Sequence, residues 1–355
     1  MTEQLYVFGS DGEGQLGIPA AEIVDTPTLV SSPPPLKNLK AVRSGDNHTL
    51  FQTQDGFIFG VGDNRKGQLG AQHEITSRSE IFTNLGANVS FIAATCESSA
   101  YITVGHEESR SWITTQGSGQ WGELGRGDVT TTTTSLDIEP DSLPETLPGT
   151  VVDFAAGVWH YVAILDDGSV YGWGKARLGQ LGEKLTGKVT VPTRIDGIPF
   201  KPVKVICGKD FTYLVGDSTI GENIILGRDK FNIVSAKPLN IRGWKDIGAT
   251  WHGIFILFTD GTLRAWGKEN MWNLLPKDLP PINKIAVGSD HVLALTREGK
   301  LISWGWGKHG NCGSLSTIKH EVKNDMVSGF WNEINIPGDI KAIAAGFCTS
   351  FVITQ

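Results

Sequence analysis

The sequence predicts an all-β fold: one seven-bladed β-propeller of four-stranded antiparallel blades that spans residues 1–355. Three observations predict it. A two-part pattern recurs seven times along the chain, the chain starts in the second part of that pattern, and it stops in the first part. The 44 glycines and the lack of a long window with helical periodicity indicate many short strands joined by tight turns.

The first part of the repeat is a short apolar strand that ends in small residues and is followed by a turn and often by a histidine. Clear copies run from Val42 to His48 and from Phe154 to His160. Five further copies run from Ile92 to Ser98, Val205 to Phe211, Ile247 to His252, Ile285 to His291 and Ile343 to Thr349. Small residues are expected at these strand ends, because seven innermost strands converge there on one axis.

The second part of the repeat is an aromatic strand that ends in glycine, followed by a polar loop and the tetrapeptide Gly-Gln-Leu-Gly. The tetrapeptide stands at 14–17, 67–70 and 179–182, and as Gly-Glu-Leu-Gly at 122–125. Degenerate copies occupy 225–231, 266–275 and 304–313. A period of roughly 40 to 50 residues that holds four short strands is typical of a propeller blade. We name the strands of a blade A to D outward from the axis.

The two half repeats at the ends predict how the ring closes. Residues 1–36 supply a C–D half and residues 338–355 an A–B half, and together they form a blade that leaves no open sheet edge. The other blades are expected at about 39–85, 88–126, 151–198, 201–239, 243–279 and 282–313. Two insertions interrupt them: 127–149, which is rich in Thr, Pro and acids and is expected to be mobile, and 314–337.

Composition argues against several classes of function. The net charge of −7 and the pI near 5.6 disfavour nucleic-acid binding, so we expect no direct DNA binding. The sequence shows no signal peptide and no run of about 18 apolar residues, so no membrane segment is expected. The four cysteines are far apart and form no CxxC pair, which indicates reduced thiols in a cytosolic or nuclear protein without a bound metal or cofactor.

The loops of a four-stranded blade divide between the two faces of the ring. The A–B and C–D loops emerge on one side, which we call the A–B face, and the B–C and D–A connections emerge on the opposite face. Acids and aromatics near the axis, with basic residues toward the rim, predict a protein-binding surface on the A–B face. The candidate partner-binding residues are Asp46, Arg65, Lys66, Glu97, Trp159, Asp210, Trp251, Trp272, Asp290, Lys308 and His309.

The repeated histidines of the A–B turns allow two interpretations. His48, His160, His252 and His291 could act as metal ligands or bases, or they could make structural hydrogen bonds. Recurrence at one place in the turn favours the structural interpretation, and the turn carboxylates recur in the same way. No constellation of nucleophile, base and orienting group can be assembled, so we expect a non-catalytic protein.

The repeats resemble those of the regulator of chromosome condensation family over essentially the whole chain, through the turn histidines and Gly-Gln-Leu-Gly. A narrower resemblance rests on Ser303 to Gly313 and on Ala345 to Ser350. These runs look like the fungal α-tubulin-suppressor, or killer-toxin-insensitivity, branch of the family. That resemblance implies a cytoplasmic and nuclear regulator that forms a heterodimer with a small CSL-type zinc protein. It also implies indirect partners, namely the enzymes of diphthamide synthesis and Elongator, which serves tRNA wobble-uridine modification.

The family also implies an alternative function. Its founding member speeds nucleotide release from the small GTPase Ran through acids in A–B turns. Asp46 in Gly-Asp-Asn-His and Asp290 in Gly-Ser-Asp-His match such turns. Guanine-nucleotide exchange on a Ran-like GTPase is therefore the alternative, although the sequence reaches Tyr6 without a basic chromatin-binding tail.

Overall fold

The computed structural model describes residues 3–70, 77–105, 110–128, 145–316 and 318–355. These residues form short strands and one 3-10 turn, Lys230–Asn232. In chain order the strands are β1 (Gln4–Ser10), β2 (Ile23–Leu29), β3 (Leu39–Ser44), β4 (His48–Thr53), β5 (Ile58–Asp63), β6 (Arg78–Gly86), β7 (Phe91–Ala94), β8 (Ser98–Val104), β9 (Ser111–Gly117), β10 (Glu145–Leu147), β11 (Val151–Ala156), β12 (His160–Leu165), β13 (Val170–Lys175), β14 (Lys188–Ile195), β15 (Lys204–Cys207), β16 (Phe211–Val215), β17 (Asn223–Gly227), β18 (Trp244–Ala249), β19 (Gly253–Phe258), β20 (Leu263–Gly267), β21 (Ile282–Val287), β22 (His291–Thr296), β23 (Leu301–Trp306), β24 (Met326–Ile334), β25 (Ile340–Ala345) and β26 (Thr349–Thr354).

The strands form seven separate antiparallel sheets, which confirms the predicted seven-bladed propeller. Blades 1, 2 and 3 are β3–β6, β7–β10 and β11–β14, and blade 6 is β21–β24. Blades 4 and 5 consist of three strands each, β15–β17 and β18–β20, so they lack the predicted outer strand. Among the described residues, no helix is long and apolar enough to cross a membrane.

Blade 7 joins strands from both ends of the chain. Its strand order is β2-β1-β26-β25, so the C–D half comes from the start of the sequence and the A–B half from its end. β1 and β26 pair continuously from Gln4↔Thr354 to Gly9↔Thr349. The ring therefore closes through two strands from each end.

Two predicted insertions contain strands that the sequence did not reveal. β10 pairs with β9 as the outer strand of blade 2, and β24 pairs with β23 as the outer strand of blade 6. The insertions are accordingly shorter than predicted. Residues 129–144, where most of the expected mobile segment falls, lie outside the described residues.

Tryptophans of strand C connect neighbouring blades. Trp173, Trp266 and Trp304 are at most 7% exposed. Each indole Nε1 donates a hydrogen bond to a carbonyl in the C–D segment of the preceding blade: Glu123 at 2.9 Å, Ile233 at 2.8 Å and Leu274 at 2.8 Å. Since a buried indole N–H needs an acceptor, these bonds fix both the angle and the spacing of adjacent blades.

The seven A strands surround a central channel of about 450 Å³. Trp251 and Phe347, from the A–B turns of blades 5 and 7, contact each other at its mouth on the A–B face, with ring centroids 5.6 Å apart in an edge-to-face arrangement. The fold thus places aromatic side chains where the turns of several blades meet.

Candidate protein-binding face

The A–B turns share one hydrogen-bond frame, except that in blade 4 the strand C amide of Arg228 donates to Leu178 O instead of to its own turn. In blade 3, Gly157 N donates to His160 O at 2.8 Å, and Trp159 O accepts a hydrogen bond from Lys175 N of strand C at 2.8 Å. Gly174 has φ +101°, and a Cβ there would collide with Trp159 O, so this position requires glycine. The frame defines four equivalent turn positions, which we number from 1 (Gly157) to 4 (His160, the first residue of strand B).

Three turns have histidine at position 4, and each of these histidines connects two blades. The imidazole Nε2 lies within hydrogen-bond distance of a hydroxyl in strand B of the next blade. The pairs are His48–Ser99 at 3.0 Å, His160–Thr212 at 3.0 Å and His291–Ser350 at 3.1 Å. Each hydroxyl donates back to a C–D loop carbonyl of the histidine's own blade: Gln68 at 2.7 Å, Gln180 at 2.8 Å and Asn311 at 2.8 Å.

The hydrogen bonds and the burial together fix the protonation of the three histidines. Because the hydroxyl donates to the carbonyl, it accepts from Nε2–H, so Nε2 carries a proton. Nδ1 of each ring is buried without a hydrogen-bond partner, which disfavours a second proton there. Burial lowers the pKa of His48 to about 4, and those of His160 and His291 to about 3. All three side chains are fully buried. The structural interpretation is confirmed for them.

For His252 the prediction of the same structural position is wrong. In blade 5, Thr250 N donates to Gly253 O and His252 O accepts from Lys268 N, so Gly253 is at position 4 and His252 at position 3. Val292 occupies the place of the hydroxyl in the next blade. The His252 ring is half-buried on the A–B face and lies edge-on to Phe231, with centroids 5.2 Å apart. The sequence contains a signal for this difference. Position 4 lies four residues after the last residue of strand A, whereas His252 lies only three residues after Ala249.

Glutamine in Gly-Gln-Leu-Gly folds back onto its own loop. Gln68 Oε1 accepts a hydrogen bond from Lys66 N at 3.0 Å, and Gln180 Oε1 accepts one from Leu178 N at 2.8 Å. In blade 2 the equivalent residue is Glu123, whose Oε2 accepts from Trp121 N at 2.7 Å. Burial raises the pKa of Glu123 to about 7, because its carboxylate takes a place built for a neutral amide.

The predicted acids all lie on A–B turns. Asp46 and Asp290 have raised pKa values, whereas Asp210 forms an ion pair. Asp46 and Glu97 belong to neighbouring turns, and the pKa of Asp46 is raised, first by partial desolvation and then by the Glu97 and Asp63 carboxylates. Asp210 makes an ion pair with Lys175 at 3.2 Å. Burial raises the pKa of Asp290 to about 6, an effect that Lys268 and Lys209 oppose.

The predicted basic residues at the rim also differ from one another. The Arg65 guanidinium is engaged by Glu13 at 2.7 Å and by Asp63 at 2.8 Å, so it joins blades 7 and 1. Lys66 and Lys308 are exposed, and His309 lies edge-on to Trp306 with centroids 5.1 Å apart.

The three predicted tryptophans separate into surface and core. Trp159 and Trp251 are half-buried in A–B turns and reach the face. Trp272 is 4% exposed and stacks on Phe255 with centroids 6.2 Å apart, so it is a core residue and not a surface anchor. Its place in a C–D segment suggested exposure, but the segment turns the indole inward onto Phe255 of strand B in the same blade.

Three residues that were missing from the predicted site contribute to the face. Lys209 Nζ lies 5.0 Å from the centroid of the Trp251 ring, and Lys268 Nζ lies 5.3 Å from that of Phe231. Phe231 stands in the 3-10 turn that follows strand C of blade 4, with φ +60°. Positive φ is usually signalled by Gly, Asn or Asp in the sequence, and phenylalanine gives no such signal. The placement of the Phe231 ring on the face could therefore not be predicted.

A pocket of about 300 Å³ opens on the A–B face between blades 4 and 5, and we call it the blade 4–5 pocket. Its apolar and aromatic walls are Leu178, Phe211, Phe231, Ile233, Trp251 and His252, with Arg228 and Lys230 beside them. Within the described residues, no group of three or more His, Cys, Asp or Glu side chains is placed to hold a metal ion.

The fold and this face define a class of protein: a closed β-propeller with one face of aromatic and charged turns. Models of the regulator of chromosome condensation (RCC1) repeat match residues 3–52 and 167–215, and a second model of that repeat matches 151–180 and 282–311. Over these segments the chain is similar to the regulator of chromosome condensation repeat.

Three comparisons illustrate the range of relatives. An RCC1 repeat-containing protein of Schizosaccharomyces pombe is 27% identical, covering 99% of both chains. The secretion-regulating guanine nucleotide exchange factor of Mus musculus is 26% identical over 87% of this chain and 75% of its own. The crystal structure of human WBSCR16 superposes with a TM-score of 0.78 at 18% identity, covering 100% of this chain and 99% of the other, and shows the fold alone.

Proposed function

We propose that the protein is a non-catalytic scaffold that docks a protein partner on its A–B face. The observation that carries the proposal is the separation of roles among the turn residues. Position 4 is buried in the seams between blades, whereas positions 2 and 3 present Trp159, Trp251, His252, Asp46 and Asp290 toward solvent. Aromatic side chains surrounded by charge are typical anchors of protein interfaces.

The partner that we propose is a small CSL-type zinc protein, and the process is diphthamide synthesis together with Elongator-dependent tRNA modification in the cytoplasm and nucleus. Support for this partner is the resemblance of Ser303 to Gly313 and of Ala345 to Ser350 to the fungal branch of the family. Lys308 and His309, which belong to the first run, lie in a C–D loop of the A–B face. A partner on that face would therefore contact the run that carries the resemblance.

Binding of the co-expressed zinc protein to single variants tests this proposal. Trp159→Ala and Trp251→Ala should each weaken binding by roughly thirtyfold, or about 2 kcal/mol, if these rings are anchors. Asp55→Ala and Asp260→Ala change exposed residues of B–C turns on the opposite face and serve as controls. A melting curve of each variant separates lost binding from lost folding. Unchanged affinity in both folded tryptophan variants, with loss in the two controls, would place the partner on the opposite face.

The second candidate function is nucleotide exchange on a Ran-like GTPase. The observation that favours it is the partly buried carboxylate of Asp290, and its support from relatives is the similarity to a protein named as an exchange factor. Release of a fluorescent GDP analogue from the GTPase should accelerate in the presence of this protein and should lose that acceleration with Asp290→Asn. No acceleration at micromolar protein removes this candidate and leaves the scaffold proposal intact.

A further inference from the structure

The blade 4–5 pocket holds more positive charge than its acids neutralise. Arg228 and Lys230 line it, Lys268 approaches the ring of Phe231, and Lys209 approaches the ring of Trp251. Within the described residues, none of these four cations has a carboxylate within ion-pair distance. Arg228 and Lys230 therefore line the pocket, while Lys209 and Lys268 lie beside it and also face the Asp290 carboxylate.

The two acids of the pocket already have partners. Asp210 is bound to Lys175 at 3.2 Å. Asp229 Oδ1 accepts hydrogen bonds from Val234 N at 2.8 Å and Ser235 N at 3.1 Å. The hydrogen bond from the Ser235 side chain, followed by these two amide bonds, lowers the pKa of Asp229. Lys175 compensates the charge of Asp210, whereas Asp229 keeps its negative charge, so the four cations outnumber the uncompensated carboxylate of the pocket and an incoming anion still meets net positive charge.

The walls of the pocket offer an apolar surface and two unpartnered nitrogen atoms to a ligand. Phe211 and Ile233 are 3% and 2% exposed, so they form an apolar floor. Trp251 Nε1 and His252 Nδ1 are buried atoms without a hydrogen-bond partner among the described residues. A buried N–H without an acceptor costs free energy that a bound oxygen can recover. Phe231 and Asn232 both adopt left-handed backbone angles, which places the Phe231 ring against His252 at a conformational cost.

We propose that the blade 4–5 pocket binds an acidic segment of a protein partner, with a carboxylate among the cations and an adjacent large apolar side chain on the floor. The inference rests on the proposed docking function and names the chemistry of the docked segment. A volume of about 300 Å³ suits one or two side chains. An extended nucleic acid fits poorly, because it needs a long track of cations, whereas Asp46, Glu97 and Asp290 lie along the same inner ring of turns.

Fluorescence anisotropy with labelled heptapeptides tests the pocket without knowledge of the whole partner. The probes contain Glu next to Leu, Phe or Trp, and matched probes contain Gln in place of Glu. At least one acidic probe should bind, its Gln counterpart should bind at least tenfold more weakly, and salt should weaken binding. The double variant Lys230→Ala/Lys268→Ala should lose roughly tenfold in affinity.

Matched variants keep the result interpretable. Lys37→Ala/Lys201→Ala removes the same charge from exposed positions in the D–A connections of the opposite face and should leave affinity unchanged. Phe231→Gly removes the ring at a backbone angle that glycine adopts without strain, so it should fold and bind weakly.

Equal binding by wild type and the Lys230/Lys268 variant overturns the proposal, as does the absence of any binding at millimolar peptide. Tighter binding of oligouridine than of every acidic probe, lost in the same variant, overturns it in favour of a polyanion site. The proposed docking function is tested separately, by the affinity of the tryptophan variants for the zinc protein.

Discussion

The A–B turns of blades 3 and 5 have nearly the same sequence and different roles. Trp159-His160 follows the strand-end residue Ala156 after two residues, Gly157 and Val158, whereas Trp251-His252 follows Ala249 after one residue, Thr250. In blade 3 the histidine is buried in the seam with blade 4, bonded to Thr212. In blade 5 the turn is one residue out of register, Gly253 takes the buried place, and the histidine reaches the A–B face. The comparison shows that in this propeller the register of a residue decides whether it stabilises the ring or is free to bind.

The largest effect on stability is expected where a whole strand of the closing blade is removed. Deletion of residues 1–17 takes away β1, which leaves β2 without a partner and exposes the edge of β26. Open edges favour aggregation, so the truncated chain should lose cooperative thermal unfolding and scatter light on warming. A soluble truncation with an unchanged transition contradicts the closure.

A large local effect is expected for the buried histidine of blade 3. His160→Ala removes a hydrogen bond across the seam and leaves a cavity against Gly157. The free energy of unfolding in urea should fall by about 2–4 kcal/mol. A loss below about 0.5 kcal/mol, the range of ordinary surface substitutions, would mean that the hydrogen bond does not stabilise the seam.

The same histidine predicts a pH dependence. Its pKa is about 3 in the folded protein and about 6.5 unfolded, so the unfolded chain binds the proton first. The contribution of His160 to stability is therefore complete above pH 6.5 and declines as the pH falls toward 3. The stability difference between wild type and His160→Gln should shrink between pH 7 and pH 4. A difference that is constant with pH would mean that the imidazole is not neutral in the seam.

Glu123→Gln should have a smaller effect of opposite sign. The raised pKa of Glu123 means that the folded protein binds its proton more tightly than the unfolded chain, so its ionisation weakens the fold as the pH rises from 4.5 through 7. Glutamine restores the residue found in the other loops. The variant should be more stable than wild type by about 1–2 kcal/mol at pH 8 and similar at pH 5. Equal urea midpoints at both pH values would exclude a strained carboxylate.

The smallest effect on stability is expected at His252. The side chain makes no hydrogen bond across a seam among the described residues, and its main neighbour is the ring of Phe231. His252→Ala should change the free energy of unfolding by about 0.5 kcal/mol or less. A loss of unfolding free energy near that of His160→Ala would show that both turns stabilise the contacts between blades.

The sequence predicted the parts of the fold that obey the repeat. Glycines in turns, small residues at the ends of strand A and Gly-Gln-Leu-Gly loops report local backbone geometry, so the seven blades and their closure could be read directly. The outer strands β10 and β24 could not, because an outer strand has one partner and weak burial constraints. Trp272 was misplaced because the exposure of a residue in a C–D segment depends on whether the segment folds back onto its own blade, as Trp272 does onto Phe255.

The site was predictable as a face and not as a pocket. Asp46, Trp159 and Trp251 lie on A–B turns because the order of strands fixes where those turns emerge. The pocket depends instead on departures from the repeat: a missing outer strand in blade 4, a shifted turn in blade 5, and Phe231 at positive φ. Such departures have no recurring pattern to recognise.

One pair of variants tests the central claim most directly, namely that turn register separates stability from binding. His160→Gln and His252→Gln make the same chemical change in neighbouring turn positions, and each is measured for its urea midpoint and for its affinity for the acidic peptide probes. We predict that His160→Gln lowers the midpoint and leaves affinity unchanged, whereas His252→Gln leaves the midpoint unchanged and weakens binding. A lower midpoint with unchanged affinity in His252→Gln would contradict the account.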